Sequence, residues 1–449
     1  MSLYIPTELG TEKISTLLKK YALPAIIAMA ASSLYNIIDS IYIGQGVGAY
    51  AIAGLAISFP LMNLSAAFGT LVGVGAVTSI SVSLGQKNYD TAQKVFGNAI
   101  ILTLIIGIIY MAIMLSFLNP ILYFFGASEN TLPYAKDFMT IILSGNLITH
   151  MYFGLNAMQR ASGFPKESMY ATIITVINNI IFGALFILVF KWGIRGAAFA
   201  TLLSQFISLC WVVKLYSNKG NIIHFQKGIY KLKKRLVTDI LSVGAAPFLM
   251  NLAACMIVIL INKGLFYSGG DMAIGAYGII NRVLFLFVMV VMGLNQGMQP
   301  IAGYNYGANN YERLMSVLKK TIVLATIVMS IGFIIGEFFP YYICRAFTTN
   351  EELIDISVKG MRICILCMPI VGVQMVTSNF FQSIRKPAIA IFLSLSRQLI
   401  VLLPCLLILP YIYGVNGVWF SLPISDLISC IISILMLMYQ IKKIKKSML

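Results

Sequence analysis

Charge is scarce in this chain. Only 10% of its 449 residues are Asp, Glu, Lys or Arg, and it has two histidines. A soluble protein carries about a quarter charged residues and could not hide this much apolar surface in water, so soluble enzymes and soluble binding modules are excluded. The opening stretch, MSLYIPTELGTEKISTLLKK, lacks a basic start followed by a short apolar core, so no cleavable leader is expected. There is no G-x-x-x-x-G-K-[ST] motif, and direct use of ATP is not expected. The seven cysteines offer one C-x-x-C, Cys364 and Cys367. With no second pair or histidine cluster beside it, this reads as a helical turn of small apolar residues rather than a metal or redox site. No cofactor or resident metal is expected.

What is present is apolar. Hydrophobic residues make up 59% of the chain, and mean hydropathy is +0.88. The apolar stretches are long and continuous, as in helices rather than barrel strands. They fall near 22–44, 50–83, 97–118, 138–158, 169–190, 196–216, 240–266, 272–300, 321–343, 360–382, 388–410 and 414–440. The second is long enough for one extended helix or two short ones. Counting it once puts 23 of the 32 Lys and Arg residues on the side of the termini and 5 on the other, the asymmetry of a cytoplasmic face. The reading is an all-α integral membrane protein with twelve transmembrane helices and both termini cytoplasmic, in the plasma membrane. The net charge of +17 then reports topology, and no nucleic-acid partner is expected.

The chain is written twice. An offset of 222 residues lays GQKNYDTAQKV (85–95) on GANNYERLMSV (307–317) and Pro165 on Pro387. At 221, GIRGAAFATLLSQFIS (193–208) falls on GVNGVWFSLPISDLIS (414–429). At 223, Asp39 falls on Asn262. Two pseudo-symmetric six-helix bundles are expected, residues 1–216 and 239–449, joined by a basic cytoplasmic linker at 217–238. Parallel repeats of this kind suit a secondary transporter whose lobes rock about a site between or within them.

AYGIINRVLFLFVMVVMGLNQGMQPIAGYNYGANN (276–310), LSRQLIVLLPCLLILP (395–410), GVNGVWFSLPISD (414–426) and NIIDSIYIGQ (36–45) resemble the multidrug and toxic compound extrusion (MATE) family across nearly the whole chain. The resemblance implies an antiporter exporting drugs or other organic, often cationic, compounds. It also implies two lobes forming a V, driven by inward H⁺ or Na⁺. Small-molecule substrates and the lipid bilayer are the partners expected, and the chain is expected to be a monomer.

Asp39 is the one carboxylate in a long apolar run. Ser32, Tyr35, Asn36, Asp39 and Tyr42 recur every three or four residues and form one polar stripe. A charge at mid-helix costs about 2.5–3.5 kcal/mol on insertion scales, so Asp39 is either a proton- or ion-binding group facing a cavity or a tie between helices. Asn178, Asn179 and Thr201 are candidate partners. In the family resemblance Asn179 matches an asparagine that helps hold Na⁺ or relay protons. The aspartate that often follows it four residues later is Gly183 here. That departure removes an anionic ligand and favours H⁺ as the coupling ion, with Na⁺ as the alternative.

In the second half Asn262, Lys263, Arg282, Arg397 and Asp426 are candidates. The arginines serve equally well as structural ties, and Asp426 is the natural partner of one of them. His150 reads as a satisfied polar contact, and Gly69, Gly73 and Gly75 as a close-packing surface. Two other functions make different demands. A flippase for lipid-linked oligosaccharides would need a large cationic cavity. An intramembrane enzyme would need a paired acid or a Ser-His set, which the spans lack.

Overall fold

The computed structural model describes residues 6–446, without the side chains of residues 36, 37, 49, 266, 271 and 443–446. Ten of its helices are individually long and apolar enough to cross a bilayer, and two bent pairs bring the number of spans to twelve. The first six are α1 (Ile14–Gly46), α2 (Ala49–Gly85), α3 (Tyr89–Ser116), the bent α4 (Leu132–Ser144 and Asn146–Ala161), α5 (Pro165–Val189) and α6 (Gly193–Tyr216). The second six are α7 (Lys234–Leu265), α8 (Met272–Gly307), α9 (Tyr311–Phe338), the bent α10 (Glu351–Cys364 and Met368–Ser383), α11 (Pro387–Tyr413) and α12 (Val415–Lys446). The long second apolar stretch is therefore one helix.

The repeat extends to the backbone. Positive φ occurs at Gly48 and Gly270, at Lys87 and Asn309, and at Gly163 and Arg385, each pair 222 residues apart. Gly193 and Gly414 follow at 221. The α1–α2 and α7–α8 reversals need a left-handed residue, and glycine adopts it without a Cβ penalty. Asn88 and Asn310 cap α3 and α9 alike, accepting from the backbone N–H groups of Thr91 and Arg313. The bends of α4 and α10 also match, at 57° and 54°. Asn156 donates to Thr172 Oγ1 at 3.1 Å, and their mates Ser378 and Ser394 hydrogen-bond at 2.7 Å.

Among the described residues the closest approaches between the lobes gather towards one end. Gly75 abuts the Ile240 carbonyl, Gly244 that of Leu71, Gly297 the backbone of Ala22 and Gly293 that of Ile26. Small residues let backbones approach closely in lipid, where dispersion replaces the hydrophobic effect as the driving force. Gln299 donates to Thr78 Oγ1 at 3.0 Å, and Ser33 to Met289 Sδ at 2.8 Å. The same end carries the start of α1, the linker and the end of α12, since Arg385 lies 3.8 Å from Asp239 and Lys386 donates to Gln440. At the other end each reversal packs within its own lobe: Gly46 against Ile187, Gly54 against Ala135, Gly269 against Val415. No such backbone approach between the lobes is found there among the described residues, which leaves room for a cleft between them. Exposed aromatics, among them Phe124, Phe338, Tyr342 and Tyr411, cluster at this far end, as expected near a membrane interface.

The linker lies along the first lobe. Asn98 donates to the Lys231 carbonyl and accepts from the Lys233 N–H at 2.8 Å, while Gln93 clasps the backbone of His224. The amino-terminal segment crosses to the second lobe. Asn305 donates to the Leu9 carbonyl at 2.9 Å, and Arg313 to the Glu12 carbonyl at 2.5 Å.

Candidate functional site

α1 has two working faces. Ala22, Ile26, Met29 and Ser33 meet α8 of the other lobe. Asp39 is about 100° round the helix from that line, among positions such as Tyr21, Ala25 and Ile43 that are buried in the first lobe. Asp39 is 8% exposed, and its Oδ1 has no hydrogen-bond partner among the described residues. An orphaned buried carboxylate oxygen is costly, so Asp39 is one point where the lobe holds polarity without satisfying it.

α1 and α5 run in the same direction and pack together. A Cβ on Gly183 would come within 3.1 Å of the Tyr42 ring. Asp39, one turn before Tyr42, is therefore level with Asn179, one turn before Gly183. Asn179 is buried and donates to Thr201 Oγ1 at 3.1 Å, and Thr201 donates to the Ala197 carbonyl. Tyr35 stands one turn before Asp39 on the same face of α1. The structure thus gathers Tyr35, Asp39, Asn179 and Thr201 into one lobe interior. Asn178 is outside the group, because its amide is spent on the Ile174 carbonyl at 2.8 Å of its own helix. The side chain of Asn36 lies outside the described residues.

Tyr152 carries no distinguishing signal in the sequence. It is 2% exposed in the same interior, and a buried tyrosine in an apolar helix looks like ordinary core. Nearby, Thr175 donates to Ser208 at 2.7 Å and Thr149 to Gln205 at 2.6 Å. His150 is held by Ser65, at 3.0 Å from its hydroxyl and from its carbonyl. That makes it a satisfied contact. Gly75 is a close-packing position, but Gly69 meets only the His150 ring, at 3.8 Å.

The second-lobe candidates separate into two sets. Arg397 sits on a π-helical stretch of α11 and donates to Asp426 Oδ1 at 2.7 Å. Asp426 is 6% exposed, so this pair is a tie inside the lobe. Asn262 is half-buried, and Lys263 and Arg282 are exposed. Asn262 and Cys255 continue the line of Gly244 on α7. Arg282 continues the line of Met289 and Gly293 on α8. Both lines are the faces that meet the first lobe at the closed end, so at the open end they line the cleft. A separate groove of about 670 Å³, lined by Ile148, Phe186, Trp192, Phe199 and Phe206, lies on the outer flank of α6 and away from both sites.

Among the described residues no group of three His, Cys, Asp or Glu side chains could hold a metal ion. Among the described residues the first-lobe interior offers a buried carboxylate with an unpartnered oxygen, Asp39.

The MatE family model matches residues 24–185 and again 246–407, the same 222-residue offset. The multidrug export protein MepA of Staphylococcus haemolyticus is 26% identical over 422 residues, covering 94% of this chain and 92% of that protein. MepA of Staphylococcus aureus is 25% identical over 426 residues, covering 94% and 93%. Among solved structures, a MATE transporter in the bent conformation superposes with a TM-score of 0.94 at 22% identity over 99% of both chains. An outward-facing multidrug resistance MATE family transporter of the MOP superfamily does so with 0.93 at 22% identity over 99% and 100%. With the family model matched in both halves of the chain, on the twelve-span two-lobe fold, the protein belongs to the MATE family of membrane transporters and is not an enzyme.

Proposed function

We propose that the chain is a secondary antiporter of the plasma membrane that expels drug-like organic compounds in exchange for inward-moving H⁺. The face carrying the linker and both ends of the described chain is cytoplasmic, on the distribution of Lys and Arg. The lobes are sealed on that side, so the cleft opens outward. Residues 1–216 and 239–449 act as the two moving lobes, and 217–238 tethers them. The chain works as a monomer, since each lobe finds its partner within the same chain.

The observation that carries this reading is the unsatisfied Oδ1 of Asp39, buried in the first lobe and turned from the cleft. Proton binding there neutralises the carboxylate and can favour one packing of α1 on α5 over another, which is how a bound ion shifts a two-state equilibrium. Substrate occupies the cleft and the proton occupies the lobe. H⁺ is favoured over Na⁺ because hard cations need several oxygen ligands. Here one carboxylate is present, and the Tyr42 ring fills the space at Gly183 where a second would stand.

The test is efflux from proteoliposomes under an imposed proton gradient, then a sodium gradient, with wild type beside Asp39→Asn. Proton-driven efflux lost in the variant is expected. Efflux surviving the substitution would reduce Asp39 to a structural tie, and a sodium requirement would replace the ion.

A further inference from the structure

We propose that a polar seam inside the first lobe, between α4, α5 and α6, is the route by which the proton on Asp39 leaves for the linker face. Gln159 lines this route and Arg160 closes its mouth. The proposal rests on the proton-antiport reading above and adds the path to it.

The seam is written on α5. Ser168, Thr172, Thr175 and Asn179 follow one another at spacings of four, three and four, which makes one stripe. The stripe runs about 17 Å along the helix, from its first turn to the level of Asp39. Each member has a polar partner on a neighbouring helix. Ser168 accepts from Arg160 Nη1 at 2.9 Å and donates to the Asn156 carbonyl at 3.1 Å, both on α4. Thr172 accepts from the Asn156 amide. Thr175 and Asn179 donate to Ser208 and Thr201 of α6.

α4 meets this stripe with amides that are not satisfied. Gln159 is fully buried, and neither its Nε2 nor its Oε1 has a hydrogen-bond partner among the described residues. Asn156, one turn earlier on the same face, is 7% exposed, and its Oδ1 also has none. Orphan amide atoms are costly in an apolar surround. Gathered on one face, they are the kind of partners that hold internal water.

The fold does not require the seam. α10 and α11 repeat α4 and α5, and there Ser168, Asn179 and Gln159 are matched by Ala390, Val401 and Phe381, all buried. The mate of Thr175 is Arg397, tied to Asp426. The Asn156–Thr172 contact is kept as Ser378–Ser394. Unpartnered hydroxyls of that lobe, such as Ser425 and Ser429, are on α12, whose acid is already held by Arg397. The lobe with Asn262 in place of the acid thus has apolar side chains where the lobe with Asp39 has polar ones.

Arg160 is half-buried and forms no ion pair among the described residues. The other charges of this end, exposed Lys166 and half-buried Glu167, are on the first turn of α5, and the Tyr216 hydroxyl donates to the Leu155 carbonyl. A fixed positive charge at a narrow mouth repels protons. With the cleft open outward, antiport demands that closure, because a route open at both ends would pass protons without substrate. Once Arg160 leaves Ser168, the Asp39 O–H bond breaks and the proton is relayed through the O–H bonds of seam water and hydroxyls. It leaves as hydronium, and Asp39 remains as the carboxylate.

The full chain in liposomes loaded with the pH dye pyranine tests this, with ethidium as the probe substrate. Under an imposed pH step, wild type should hold the gradient without ethidium and move protons with it. Gln159→Leu keeps a similar volume and removes the orphan atoms, so it should fold at least as stably. It should slow coupled proton movement by about tenfold, equivalent to about 1.4 kcal/mol on the barrier, with ethidium binding by fluorescence polarisation unchanged. Gln159→Asn should recover most of the rate. Arg160→Gln should leak protons without ethidium, Arg160→Lys should stay tight, and adding Asp39→Asn should abolish the leak. Ser394→Ala, in the matching position of the other lobe, should behave as wild type.

Coupled movement at the wild-type rate in Gln159→Leu overturns the proposal, as does a slower rate matched by lost ethidium binding. A leak that survives Asp39→Asn, or no leak in Arg160→Gln, also overturns it. Wild type that moves no protons with ethidium would sink the proton-antiport reading and the route together. Movement lost in Asp39→Asn but kept in Gln159→Leu would sink the route alone.

Discussion

Gly85 lies against the backbone carbonyl of Tyr304, so close that a single added methyl group would overlap the oxygen. Its repeat mate Gly307 lies against the carbonyl of Val82, the mate of Tyr304. The two contacts are one contact seen twice across the pseudo-twofold axis, and they close the end that carries the linker. Gly85→Ala or Gly307→Ala must push α2 and α8 apart, costing the closed packing about 1–3 kcal/mol. A conformation in which these helices are already separated does not bear that cost. We expect either variant to lower melting temperature modestly and to speed maleimide labelling of a cysteine placed at Ser15 in a cysteine-free background. Labelling at the wild-type rate would show that this seam does not separate.

The strap formed by residues 6–13 predicts a second route to the same state. Arg313 donates to the carbonyls of Leu9 and Glu12, and Lys320 to Ser15 Oγ at 2.7 Å. Arg313→Ala leaves two backbone carbonyls short of a charged donor, worth about 1.5–3 kcal/mol per bond. Labelling at Ser15 should again accelerate, and the effect should add little to that of Gly307→Ala if both release one gate.

Asp39→Asn should be at least as stable as wild type. It removes a buried charge whose Oδ1 has no partner, and buried polar groups without partners are costly. A melting temperature equal to or above wild type, together with lost proton-driven efflux, would mark a group kept for function at the expense of stability. A large fall in melting temperature would instead identify an interhelical tie.

The spans, their number and the duplication were legible because lipid imposes continuous apolar helices and because loop residues with special backbone geometry repeat at one offset. Asp39 was legible as a charge in the wrong solvent. The division of labour around it was not. Asn178 and Asn179 are neighbours in sequence, and only the rotation of α5 shows that one serves its own helix while the other reaches Thr201. Arg282 and Arg397 look alike as intramembrane arginines, and only tertiary packing separates the one paired with Asp426 from the one left open. The closed end was half visible in the glycines, but which backbone each admits is a long-range fact that no periodicity encodes.

That separation of the arginines gives the last prediction. Arg397→Leu leaves Asp426 buried and unpaired, and Asp426→Leu strands Arg397. Breaking a buried pair from one side is destabilising by about 3–5 kcal/mol, and Asp426 is 7% exposed at its side chain against 30% for Arg397. Stranding the carboxylate should therefore hurt more than stranding the arginine, whose longer chain can reach water. The double variant should recover much of the loss, because two apolar side chains of similar reach replace a pair whose desolvation offsets most of its attraction. Melting temperatures of the four proteins complete the cycle, and additive losses would mean the two side chains are not coupled. Arg282→Leu, with no partner to strand, should barely move the melting temperature, and that contrast distinguishes the arginine that holds the lobe together from the one that faces the cleft.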